Sequence, residues 1–97
     1  MIVELSVVPV GTGETSVSSY VRAALEVFKE SDLEYEVNSM GTCVQGEWDD
    51  IFSALKVVHD RLARMGCHRI VTTVKIDDRR DRPGTMKAKV AAATRGI

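Results

Sequence analysis

Apolar and polar positions alternate over residues 2–8, IVELSVV, where Val3, Leu5 and Val7 stand against Glu4 and Ser6. A period of two in β-branched residues predicts a strand. Pro9 and the glycines of PVGTG end it. The period then lengthens. In residues 15–31, TSVSSYVRAALEVFKES, Val17, Tyr20, Val21, Ala24, Leu25 and Phe28 recur at i, i+3 and i+4. That spacing predicts a helix with one apolar face, and Arg22, Glu26, Lys29 and Glu30 occupy the other. Thr15 or Ser16 is the expected N-cap.

Residues 33–40, LEYEVNSM, alternate again, with Tyr35 and Val37 on one face and Glu34, Glu36 and Asn38 on the other. Gly41 is read as a turn, and 42–47, TCVQGE, as the short return strand of a hairpin. Residues 48–66, WDDIFSALKVVHDRLARMG, form the second predicted helix. Its dipole favours Asp49 and Asp50 in the first turn, and Gly66 suits the position just past its end. Trp48, Ile51, Phe52, Leu55, Val58, His59 and Leu62 lie on or near one stripe. Residues 68–76, HRIVTTVKI, are the last strand. A charged loop, DDRRDRPG, leads to a short third helix in TMKAKVAAAT, with Thr85 near its start.

The order β-α-β-β-α-β plus a C-terminal helix is the split βαβ, ferredoxin-like α+β pattern, here one domain over residues 1–97. Two helices then cover one face of a four-stranded antiparallel sheet, and the other face needs water or a partner. Alternation sends Ile2, Glu4, Ser6, Val8, Asn38, Met40, Val71, Thr73 and Lys75 to that open face. The mixture fits sheet-to-sheet packing of subunits into a dimer or tetramer, or a polar pocket beside it. A solvated face with scattered apolar groups is the alternative.

Of the 97 residues, 44% are hydrophobic but only 5% aromatic, so the core is built from Val, Leu, Ile and Ala. No apolar run approaches the roughly 20 residues of a membrane span, so no membrane partner is expected. The opening MIVELSVVPV has no basic n-region, and a cytoplasmic location is expected. Net charge is −1, which argues against general nucleic-acid binding. The two central strands also lack the aromatics on which RNA bases stack in sheets of this type. The charge is unevenly spread. Residues 1–60 carry eleven acids and three bases, while 61–97 carry ten bases and three acids. Such a chain can pair with itself, in cis or between subunits.

No catalytic constellation emerges, and no metal or cofactor site. Cys43 and Cys67 have neither disulfide-framework nor zinc-ligand spacing and read as small buried or half-buried thiols. His59 reads as a packed or bridging residue. Cys67 and His68, as strand neighbours, point to opposite faces and do not converge. PVGTGETS lacks the Lys and the order of a phosphate loop. KIDDRRDR reads as a salt-bridged loop, or as a clamp between subunits through Arg–carboxylate pairs.

The strand IVELSVVPVGTG, the helix start SVSSYV, the hairpin YEVNSMGTCVQGEW and the strand exit VKIDDRRD together resemble the small thiamine-binding protein family, over residues 2–90. The resemblance implies a non-enzymatic, oligomeric protein that binds thiamine or its hydroxymethylpyrimidine part. An aminopyrimidine needs a donor–acceptor edge and an apolar slab, and the thiazolium cation needs an acid or an aromatic face. For such a ligand Ser6, Asn38 and Thr42 supply the edge, Glu4, Glu36 or Glu47 the charge, and Trp48 the slab. The expected binding set is Glu4, Ser6, Asn38, Thr42, Glu47 and Trp48, converging on the first strand and the hairpin. The competing reading is a structural or regulatory oligomerisation module without a ligand.

Overall fold

The computed structural model describes all 97 residues. Seven elements follow in order: β1 (Ile2–Pro9), α1 (Ser18–Glu30), β2 (Glu34–Asn38), β3 (Gly41–Gln45), α2 (Trp48–Arg64), β4 (Ile70–Asp77) and α3 (Met86–Thr94). The strands form one antiparallel sheet in the order β2-β3-β1-β4. This is the ferredoxin-like α+β fold that the alternation predicts.

Register fixes the two faces. Tyr35, Val44, Val3 and Ile76 form a row across all four strands. The next row on that face is Val37, Thr42, Leu5 and Val74. Both rows turn toward α1 and α2, because a strand presents alternate side chains to one side. Between them runs a row on the opposite face: Glu36, Cys43, Glu4 and Lys75. The core is Val3, Leu5 and Val44 from the sheet, packed with Ala23, Ala24, Val27 and Phe28 of α1 and Ile51, Ala54, Val58 and Leu62 of α2. His59 Nε2 lies 2.6 Å from the Thr72 hydroxyl and ties α2 to β4, the bridging role expected of it. Cys67 is buried and Cys43 half-buried, and both thiols are free.

Three details differ from the sequence reading. Neither Thr15 nor Ser16 caps α1; its N-cap is Val17, without a side-chain hydrogen bond. Ser16 and Ser18 instead bond to each other through their hydroxyls at 3.1 Å. The buried stripe of α1 is also rotated: Ala23 and Val27 are inside, whereas Val17 and Val21 are exposed. Tertiary packing decides this, because α1 touches α2 as well as the sheet. Finally, the open face is not bare. Met86 of α3 is buried, and its amide donates to Gln45 Oε1 at 2.7 Å. Lys89 of the same helix holds Asp77 at 2.5 Å. Since Gln45 and Asp77 both lie cross-strand from Ile2, α3 covers one end of the face opposite α1 and α2.

The charged loop contains its own ion pairs, Arg79–Asp81 and Arg80–Asp78. The acidic and basic parts of the chain also meet in cis, where Arg61 at the end of α2 grips Glu30 at the end of α1 with two nitrogens, at 3.0 and 3.4 Å. That grip holds the Glu30 carboxyl below its ordinary value.

Candidate functional site

Strand pairing between β1 and β3 stops at Leu5–Thr42, while β1 runs on to Pro9 beside β4 alone. The hairpin is too short to follow. The missing strand length leaves a notch in the sheet, closed from behind by the start of α1. It has a volume of about 330 Å3, and its lining includes Ser6, Tyr20, Phe28, Asn38, Met40 and Thr42.

Backbone polarity makes the notch chemically specific. Met1 C=O accepts from Gly46 N–H beyond the end of β3, and Val10 N–H donates to Arg69 C=O just before β4. Hydrogen-bonding direction alternates along an antiparallel strand, so odd residues of β1 address β3 and even residues address β4. The N–H and C=O of Val7 therefore point into the notch, and no backbone group meets them there. Pro9 fits the same parity, since its missing N–H falls on the unpaired side. Gly41 lets the hairpin approach: a Cβ there would stand 3.0 Å from Leu5 O, a backbone atom that has little room to yield.

The structure divides the six predicted residues among three places. Ser6, Asn38 and Thr42 share the notch. Glu4 lies on the open face, in a second cavity of about 230 Å3 that it shares with Glu36, Cys43, Lys75 and α3. Asn38 links the two regions, because its amide nitrogen is 3.7 Å from Cys43 Sγ. Burial pushes the Cys43 thiol up from its ordinary value, and the charges of Glu4 and Glu36 add to the effect. Glu47 and Trp48 do not join the others. They begin α2, at the end of the sheet where Gln45 pairs with Ile2, and the notch is at the other end. Trp48 is 42% exposed and stacks on Phe52 with ring centroids 5.4 Å apart. The predicted convergence fails for these two because β3 carries the chain the length of the sheet before α2 starts. Sequence reasoning missed Tyr20, Met40 and the Val7 backbone. Tyr20 looks like one more apolar helix position, and a strand ending before its neighbour leaves no mark in composition.

Fold and site together define a class: a small ferredoxin-like α+β protein with an apolar, polar-rimmed notch at one end of its sheet. The chain belongs to the thiamine-binding protein family, whose model matches residues 3–94. The UPF0045 protein of Methanothermobacter thermautotrophicus is 42% identical over 95 residues, which are 97% of this chain and 96% of that protein. The crystal structure of a hypothetical protein from Methanocaldococcus jannaschii superposes with a TM-score of 0.86 at 41% identity, over 95% of this chain and 93% of that one. A Thermotoga maritima protein provisionally assigned to thiamine biosynthesis or salvage superposes with a TM-score of 0.80 at 25% identity, over 95% and 96% of the two chains. No helix is long and apolar enough to cross a membrane.

Proposed function

We propose that the protein binds thiamine, or the hydroxymethylpyrimidine part of it, in the notch between β1, the β2–β3 hairpin and α1, and does not transform it. The observation that carries this reading is the unpaired Val7 backbone flanked by Ser6, Asn38 and Thr42. An aminopyrimidine edge needs a donor beside an acceptor, and a strand with a free edge offers both in fixed geometry. Tyr20, Met40 and Phe28 supply apolar wall for the ring. The thiazolium cation is directed past Asn38 toward Glu4 and Glu36. Family membership and the salvage assignment of the Thermotoga relative support the ligand class. The protein acts in the cytoplasm, where its two free thiols stay reduced.

The reading includes assembly into dimers or tetramers through the part of the open face that α3 leaves clear. Val8 and Val71 are directly opposite each other there, at 45% and 48% exposure, and form an apolar pair suited to a sister sheet. The test is calorimetric titration of the wild-type protein with thiamine and with the free pyrimidine, alongside light scattering. Saturable binding is expected. Asn38→Ala should weaken it several-fold, and Trp48→Ala should leave it unchanged. The expected solution mass is a multiple of 10.7 kDa. Absence of heat with either ligand up to millimolar concentration would sink the reading, and a monomeric mass would sink its assembly part.

A further inference from the structure

At the end of the sheet away from the notch, the chain encloses a cavity of about 450 Å3 for which the thiamine reading has no use. Its walls are the start of β1, the loop that follows β4, and one face of α3. The charged side chains lining it are Arg79, Arg82 and Lys89, opposed by a single acid, Asp77. This is a local excess of positive charge in a chain whose net charge is −1.

The cations are only partly used by the fold. Arg79 holds Asp81 through Nε at 2.7 Å and Nη2 at 3.0 Å, which leaves Nη1 free. Lys89 spends one of three donors on Asp77. Arg82 is in no ion pair of the structure. Small side chains keep the space open. Ala88 and Ala92 line it from α3, and a Cβ added at Gly84 would meet only Arg79 Cδ, at 4.0 Å. With Asp81 and Asp77 each pairing one cation, Arg82 is left without a counter-charge beside the spare donors of Arg79 and Lys89, and an anion seated between them would meet all three.

We propose that this cavity binds the phosphate or diphosphate group of a small phosphate ester. A guanidinium presents paired N–H donors that match two oxygens of one phosphate, and ammonium donors complete the remaining contacts. A single carboxylate would pair with Arg82, as Asp81 already does with Arg79, and leave the spare donors of Arg79 and Lys89 unused. The volume is in the range of small-molecule sites, roughly 300–1,000 Å3. A nucleic-acid backbone fits poorly, because the basic groups gather in a hollow and do not form a stripe, and the first sixty residues are acidic. The cavity lies about 13 Å along β1 from the notch, measured from Ile2 to Ser6 at strand rise. The proposal therefore stands or falls independently of thiamine, which carries no phosphate.

The experiment is a titration of the isotopically labelled full chain with inorganic pyrophosphate at constant ionic strength, followed by amide chemical shifts and calorimetry. Saturable shifts are expected in the segment from Asp77 to Lys89 and at Ile2. Arg82→Gln, which breaks no ion pair, should weaken binding about tenfold with its melting temperature unchanged. Arg22→Gln on α1, far from the cavity, should stay within about twofold of wild type. Three results would overturn the proposal: no saturation by about 10 mM, equal affinity in Arg82→Gln, or shifts that appear only with a change in solution mass. The last would assign the cavity to a contact between copies of the chain.

Discussion

Replacing Thr42 by Val separates the binding role of the notch from its structural role. Thr42 is 9% exposed, pairs with Leu5 and lines the notch. Its hydroxyl leaves no buried polar atom without a partner, which places that oxygen at the notch surface and not inside the core. Val keeps the β-branched shape and the strand preference. In the free protein the substitution exchanges one solvent-facing hydroxyl for a methyl, so stability should move by no more than about 0.5–1 kcal/mol in either direction. For a domain of this size that is a melting shift below roughly 5 °C. In the complex one neutral hydrogen bond to the ligand is lost, about 1–1.5 kcal/mol, or five- to tenfold in Kd. Thr42→Ser, which keeps the hydroxyl, should recover most of that affinity. The assay is paired thermal melting and thiamine calorimetry on the three proteins. Wild-type affinity in the Val variant would remove Thr42 from the site. Affinity and melting temperature falling together would make its role structural.

Two further outcomes follow from packing and charge. Ile51 has no exposed surface and belongs to the core cluster that the sheet, α1 and α2 share, so Ile51→Ala should cost about 3–4 kcal/mol, read from the denaturant midpoint; a loss below about 1 kcal/mol would contradict the assigned core. The Lys89 ammonium, bonded to Asp77, holds that carboxyl below its ordinary value of 3.8. A lowered folded value means that the contact stabilises above the unfolded carboxyl's titration and is lost as pH falls through the folded one. Amide protection in α3, referred to the intrinsic exchange rate at each pH, should therefore drop selectively in acid below about pH 4, and Asp77→Asn should give the same loss of protection at neutral pH.

How far the sequence reaches is clearest strand by strand. The alternation Val3-Leu5-Val7 against Glu4-Ser6 determined which side of β1 meets the helices, because a period of two admits only two faces and only one can be buried. The same reasoning assigned β4, where Ile70, Thr72, Val74 and Ile76 turn inward as expected. Asp49 and Asp50 in the first turn of α2, and Gly66 at a φ of 98° just beyond its end, were equally local and equally readable. Cross-strand length was not. That β3 gives out at Gly41 while β1 continues to Pro9 depends on register, and register places Ser6, Asn38 and Thr42 together while sending Glu47 and Trp48 to the far end. Gln45 is the sharpest case. Its side chain accepts from the Met86 amide, forty-one positions away, and helps to seat α3 on the open face. The hydrophobic pattern can say what a residue buries but not what lies opposite it, because that partner is set by how separate elements pack and not by anything within either one.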